Sequence, residues 1–145
     1  MQIKKIETDK DINSIINLFL EVMTNAPYNE KWNQETAKGE LVEIFNNGKG
    51  FCFIATEDEK NIGFIFSRIQ PWEDGNHLII EYIVVDPSLR KNGVGTALFR
   101  ETEKIARNKD IKNFHLISHR QSMAKDFWEK QGFKMQGIIE MSKTI

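Results

Sequence analysis

The chain has 145 residues, with 20 lysines or arginines, 21 aspartates or glutamates and a formal net charge of −1. This length fits one domain with its own core, and the balanced charge argues against nucleic acid or an anionic membrane as a partner. The lone Cys52 excludes an internal disulfide, and no apolar stretch reaches the length of a membrane span, so we expect a cytoplasmic protein.

The amino-terminal half alternates between strand and helix patterns. Apolar residues at helical spacing predict the first helix, and Asn33 is a suitable cap for the second, which ends at Gly48. The predicted elements, in order, are a strand at residues 3–7, a helix at 12–23, a second helix at 33–48, and a hairpin of strands at 51–56 and 62–70.

The second half is organised around one apolar strand, residues 78–85, rich in β-branched side chains. Asp86-Pro87-Ser88 ends this strand because proline cannot donate to a ladder. The further elements are a helix ending near residues 108–110, a strand at 113–118, a helix at 122–131, and strands at 133–138 and 139–145. Periodicity alone therefore predicts a mixed α+β sandwich of a sheet and helices.

A glycine-rich, basic run, residues 90–96 (RKNGVGT), joins the central strand to the third helix. Glycines allow a tight turn, and the first N–H groups of a helix lack internal partners, so this turn can cradle a phosphate. The P-loop pattern is absent from the sequence, and the dinucleotide pattern would need a third glycine where Leu98 stands.

The pattern Arg-x-x-Gly-x-Gly after a strand ending Val-Val-Asp-Pro resembles the acetyl-coenzyme A loop of the GNAT superfamily of N-acetyltransferases. A second block, residues 124–133 (AKDFWEKQGF), is similar to the family segment A-x-x-F-Y-E-K-x-G-F. The resemblance covers residues 1–145 as a single domain. It implies an α+β fold: a central, mostly antiparallel sheet of six to seven strands, flanked by four helices and splayed after the fourth strand.

The resemblance also implies an activity, the transfer of an acetyl group from acetyl-coenzyme A to a primary amine by direct attack in a ternary complex. The acceptor, a small-molecule or peptide amine, is left open, and the family suggests a homodimer. The backbone N–H of Val85 would polarise the thioester carbonyl. The residues that would hold the cofactor are Val84, Val85, Arg90, Lys91, Asn92, Gly93, Val94, Gly95, Thr96, Gln121 and Trp128.

Glu81 is the candidate general base, acting through water, because a carboxylate inside an apolar strand should face a polar cleft. The alternative is that Glu81 pairs with a lysine or arginine or lies on an exposed face. Strand alternation predicts that Tyr82 faces away from Glu81. Trp128 stands where the family has a tyrosine, and an indole cannot protonate a thiolate, so the usual acid is in doubt.

Aromatic and acidic residues in the connecting segments are candidates for an amine site. Tyr28, Trp32 and Trp72, with Glu30, Glu73 and Asp74, could seat a cation, although each could equally be a solvated loop residue. The histidines are His77, His115 and His119. His115 and His119 alternate on one face of a predicted strand but lack a third metal ligand, so no metal is predicted, and His119 is a reserve base.

Two other functions compete with catalysis. The tryptophan at position 128 favours a non-catalytic sensor or scaffold that binds an acyl-coenzyme A. A nucleic-acid or phosphosugar binder could use the same cradle, but the sequence has no basic stripe to support nucleic-acid binding.

Overall fold

The computed structural model describes residues 1–48, 50–118 and 123–145, which form one sheet with helices on both faces. The strands are β1 (Gln2–Lys5), β2 (Cys52–Glu57), β3 (Lys60–Trp72), β4 (Gly75–Val85) and β5 (Phe114–Leu116). The helices are α1 (Asp9–Asn13), α2 (Ile16–Met23), α3 (Gln34–Asn47), α4 (Val94–Asn108) and α5 (Ala124–Lys130).

The sheet has the order β1-β2-β3-β4-β5, antiparallel from β1 to β4, with β5 parallel to β4. Alternation along β3 divides the core between its two faces. Phe64 and Phe66 pack with α1, α2 and α3, whereas Ile65 packs with Leu98 of α4 and Trp128 of α5. Both faces of the central strands are therefore covered by helices, as apolar runs require.

The described residues hold five strands, so the predicted six to seven strands are wrong. Residues 133–145 contain no strand, and Met135, Ile138 and Met141 are each more than four-fifths exposed. Their sequence pattern indicates only a capacity for β-structure, and a strand also needs a neighbouring edge to pair with. No helix in the described ranges has both the length and the apolar character needed to cross a membrane.

The first predicted helix is divided into α1 and α2, so five α-helices are described where four were predicted. The break lies at Ser14 and Ile15. The side-chain amide of Asn61 donates to both the carbonyl oxygen and the hydroxyl of Ser14, at 3.1 and 3.0 Å. Such side-chain hydrogen bonds compete with the helical pattern, and they tie the break to the β2–β3 turn.

Two irregularities in β4 shape one end of the sheet. The ladder between β4 and β5 covers only Leu78 to Ile80, although β4 continues to Val85. In the ladder with β3, Tyr82 pairs with Phe66 and Ile80 with Ser67, so Glu81 is the extra residue of a β-bulge. Among the described residues, the carboxyl half of β4 therefore has no ladder partner on the β5 side, and the bulge kinks it locally. The predicted splay after the fourth strand stays a prediction.

At the opposite end of β4, a stacked cluster of side chains fastens β5 to the β3–β4 turn. Nδ1 of His77 lies 2.7 Å from Nε2 of His115, and Nε2 of His77 lies 2.7 Å from the Asp74 carboxylate. The Trp72 ring stacks on both imidazoles, at 4.1 and 4.7 Å between centroids. Burial, reinforced by repulsion from His77, lowers the pKa of His115.

Two glycines of the α3 region provide a matched pair for testing the packing. A Cβ at Gly48 would lie 1.8 Å from the Ser67 carbonyl oxygen, so Gly48→Ala should destabilise the fold by about 1–3 kcal/mol or more. A Cβ at the exposed, helical Gly39 meets nothing within 4 Å, so Gly39→Ala should stabilise by about 0.5–1 kcal/mol. Urea unfolding measures both changes, and equal effects would contradict this packing.

The His77–His115 contact predicts a pH-dependent stability. Because the folded state lowers the pKa of His115, the unfolded chain binds more protons as pH falls below about 6.5, and stability is lost in that window. The melting temperature should therefore fall between pH 7.5 and 5.5, and less steeply for His115→Gln. An equal slope of melting temperature against pH in both proteins would show that His115 does not cause the pH dependence of stability.

Candidate active site

The loop from β4 to α4 presents the amino terminus of α4 to solvent. Gly93 is the residue that caps α4, with φ of +82°, a left-handed conformation that side chains disfavour. It has no side chain to accept from the first N–H groups of the helix, and the first turn carries no acidic residue. The N–H groups of Val94, Gly95 and Thr96 can therefore bind an external anion.

The two glycines of this loop serve different purposes. A Cβ at Gly93 would meet nothing within 4 Å, so this position requires glycine for its backbone angle. A Cβ at Gly95 would lie 3.1 Å from the Phe127 ring of α5. Gly95 thus lets α5 pack against the first turn of α4, which fixes the position of the helix amino terminus.

The charged side chains of the loop are exposed. Arg90 and Lys91 both extend into solvent, where they add positive charge beside the helix terminus. The Asn92 side-chain amide donates to the carbonyl oxygens of Leu89 and Arg90, at 3.2 and 3.3 Å. The Asn92 side chain therefore closes the loop on itself.

Val84 and Val85 lie on the part of β4 that continues beyond its ladder with β5. Their side chains pack on opposite faces of the sheet, and they pair with Phe64 and Gly63 of β3. On the β5 side, this stretch has no ladder partner within the parts of the chain described above. Its main-chain groups can therefore serve an extended ligand. Gln121 and His119, also candidates from the sequence, lie outside the described residues.

Trp128 is a core residue in this structure. It is 5 % exposed and packs edge-on against Phe99, Phe127 and Phe133, with ring centroids 4.8 to 5.6 Å apart. These contacts support a packing role and show no surface for the predicted contact with a cofactor. Cys52 is equally buried, which raises the pKa of its thiol to about 12 and disfavours a nucleophilic role.

Glu81 is exposed and ion-paired. Nε of Arg68 donates to Glu81 Oε1 at 2.6 Å. Arg68 is two residues beyond Phe66 on β3, so both side chains lie on the α3 face of the sheet. The alternative foreseen from the sequence, pairing with an arginine, is the arrangement that the structure shows.

Tyr82 also lies on the α3 face, and the prediction that it faces away from Glu81 is wrong. The bulge adds one residue to β4, so strict alternation fails between these two neighbours. Tyr82 packs edge-on against Phe19, with centroids 5.1 Å apart, and its hydroxyl donates to Glu40 Oε2 at 3.3 Å. Glu40 belongs to α3, and the sequence analysis missed it because a glutamate on a helix normally faces water.

Several acidic groups surround this contact. Burial raises the pKa of the Glu40 carboxyl, and repulsion from Glu81, Glu43 and Glu30 raises it further, whereas the Tyr82 hydrogen bond lowers it. Burial also raises the pKa of Tyr82, which keeps the phenol protonated. A partly buried carboxylate of α3 is therefore held by a fixed hydroxyl donor of β4.

The predicted amine site is only partly assembled. The Trp32 indole donates to Glu30 Oε1 at 2.8 Å and packs against Phe19, and Tyr28 joins the same core cluster. Trp72 lies instead in the His77–His115 cluster at the other end of β4, so its grouping with Tyr28 and Trp32 is wrong. Within the described ranges, no three histidine, cysteine or acidic side chains are grouped to hold a metal.

Solved structures share this fold over nearly the whole chain. An aminoglycoside acetyltransferase from an uncultured soil metagenomic sample, in complex with sisomicin, superposes with a TM-score of 0.77 at 16 % identity, covering 99 % of this chain and 95 % of that one. For a possible acetyltransferase from Clostridium difficile 630 the TM-score is 0.79 at 16 % identity, covering 99 % and 97 %.

A third structure is the aminoglycoside antibiotic 6'-N-acetyltransferase AAC(6')-IG from Acinetobacter haemolyticus. It has a TM-score of 0.74 at 18 % identity and covers 100 % of this chain and 99 % of its own. No curated protein matches the chain in sequence. The family model for the acetyltransferase (GNAT) family matches residues 12–133, which include both motif blocks and the α3 face of β4. The chain therefore belongs to the acetyltransferase (GNAT) family.

Proposed function

We propose that this protein transfers an acetyl group from acetyl-coenzyme A to a primary amine in a ternary complex. The observation that carries the proposal is the stretch of β4 after Ile80, which has no ladder partner on the β5 side among the described residues, together with the amino terminus of α4, which has no side-chain cap. A strand edge and a helix terminus at one place suit a ligand that is extended at one end and anionic at the other.

The residues of the unpaired end of β4 and of the β4–α4 loop fit this cofactor, which would supply the acetyl group as a reactive thioester. The N–H groups of residues 92–96 and the charges of Arg90 and Lys91 would hold the pyrophosphate. Main-chain groups of Val84 and Val85 would pair with the pantetheine arm, with the Val85 N–H placed to polarise the thioester carbonyl. The open strand edge and the exposed left-handed Gly93 are the features that fit.

The acceptor amine would approach from the α3 face of β4. The Trp32–Glu30 pair and the Tyr82–Glu40 pair offer aromatic surface and negative charge to an ammonium group. Two of the similar structures are aminoglycoside acetyltransferases, and an amine-bearing acceptor for this chain is consistent with that similarity. A small-molecule amine and a peptide amine both match this chemistry.

One observation favours a second candidate, a sensor or scaffold that binds an acyl-coenzyme A without turnover. Trp128 replaces the tyrosine of the family motif, and its indole is buried among Phe99, Phe127 and Phe133. Release of free thiol from acetyl-coenzyme A in the presence of amines decides between the two functions, since a sensor would bind the cofactor and release none.

Calorimetric titration tests the cofactor site directly. Acetyl-coenzyme A should bind in the micromolar range, and Gly93→Val should weaken binding at least about tenfold, about 1.4 kcal/mol, because the loop can no longer hold its left-handed turn. Gly75→Val is the matched control, since Gly75 also has a positive φ and free space but lies in the β3–β4 turn. Equal affinity of the Gly93 variant and the wild type would refute the cradle.

A further inference from the structure

We propose that Glu40 of α3 is the group that accepts the proton from the acceptor amine, and that Tyr82 holds its carboxylate in position. This inference rests on the proposed acetyl transfer and names the base for it. Neither residue belongs to a motif block, and the hydrogen bond between them links α3 to the bulged part of β4.

The contact is geometrically defined on both sides. The Tyr82 ring is held by its edge-on packing against Phe19, and its hydroxyl donates to Glu40 Oε2. Within the described part of the chain, this is the one hydrogen bond made by the Glu40 carboxylate. The other oxygen, Oε1, is therefore free to receive a proton from an amine while Tyr82 fixes the orientation of the group.

Glu81, the base suggested by the sequence, is less suited to this task. Its Oε1 is held at 2.6 Å by Arg68, and the pair is partly open to solvent. To take up a proton, Glu81 would have to weaken this charge-assisted hydrogen bond. Glu81 lies on the same face, and we assign it a positioning role through its contact with Arg68.

The charged groups around Glu40 favour proton uptake. They are Glu81 and Tyr82 on β4, Glu43 on α3, and Glu30 in the connection from α2, while Arg68 on β3 is engaged by Glu81. Burial and the neighbouring carboxylates raise the pKa of Glu40. A carboxylate with a raised pKa is a stronger base and is better matched to a reaction near neutral pH.

The reaction is balanced with these groups alone. The ammonium form of the acceptor gives one proton to Glu40, and the freed lone pair attacks the thioester carbonyl carbon. A C–N bond forms and the C–S bond breaks, and the leaving thiolate takes the second proton from the attacking nitrogen. Glu40 then releases its proton to solvent, so the products are one amide, one thiol and one proton.

The pH dependence of kcat/KM separates Glu40 from Glu81. Glu40→Gln should lower kcat/KM at pH 7 by about 100-fold or more and remove the acidic limb of the profile. Glu81→Gln should keep that limb and move it to lower pH, since Glu81 raises the pKa of Glu40. Glu35→Gln, on the first turn of the same helix, is the control and should change neither quantity.

Tyr82→Phe provides a test of the pair itself. Because the Tyr82 hydrogen bond lowers the pKa of Glu40, removing the hydroxyl should move the acidic limb to higher pH. A limb that stays in place in Tyr82→Phe, or one that disappears in Glu81→Gln and persists in Glu40→Gln, would overturn the assignment.

A measurement without substrate distinguishes this inference from the proposed function. In ¹³C NMR of glutamate carboxyl groups, the signal that is missing from Glu40→Gln belongs to Glu40. This signal should titrate at a higher pH than those of the other glutamates, and at a still higher pH in Tyr82→Phe. If that signal titrates with the exposed glutamates, Glu40 is not the base, even where acetyl-coenzyme A binds and amines are acetylated. Failure to bind acetyl-coenzyme A, by contrast, would rule out both the proposed transferase activity and the role of Glu40 in it.

Discussion

The early end of the β4–β5 ladder is the constraint on which the rest of the site depends. Among the described residues, pairing stops at Ile80 and Leu116, yet β4 continues for a further five residues. Main-chain N–H and C=O groups near a core need partners, so an open stretch of a central strand is costly unless water or a ligand serves it. The chain continues from this strand through Asp86 and the 3-10 helix at Pro87–Leu89 to Gly93 and the amino terminus of α4, where the proposed anion site lies.

The bulge at Glu81 is a second constraint, because it decides which face of the sheet Glu81 and Tyr82 occupy. Without the extra residue, Glu81 and Tyr82 would face opposite sides of the sheet, and α3 would meet only one of them. With it, Arg68, Glu81 and Tyr82 lie on the α3 face near Glu40, whereas α4 packs on the opposite face of the sheet. In the proposed reaction, an amine and a thioester would therefore approach β4 from different directions.

The sequence predicted features whose causes are local. Residues 90–96 indicate a turn and a helix start because glycines, charges and helical periodicity act over a few residues, and the structure has α4 begin at Val94. The bulge shifts a register by one residue, which alternation cannot reveal, and the Tyr82–Glu40 contact joins positions far apart in the chain. The strands predicted over residues 133–145 failed for the same reason, since a strand depends on a partner that periodicity does not identify.

Hydrogen–deuterium exchange with and without acetyl-coenzyme A tests most directly whether the open edge of β4 and the start of α4 form one ligand site. We expect the cofactor to slow amide exchange in residues 81–85 and 92–97 together, and to leave β1 (Gln2–Lys5), at the far edge of the sheet, unchanged. Protection confined to other segments, or no protection at saturating cofactor, would contradict the account.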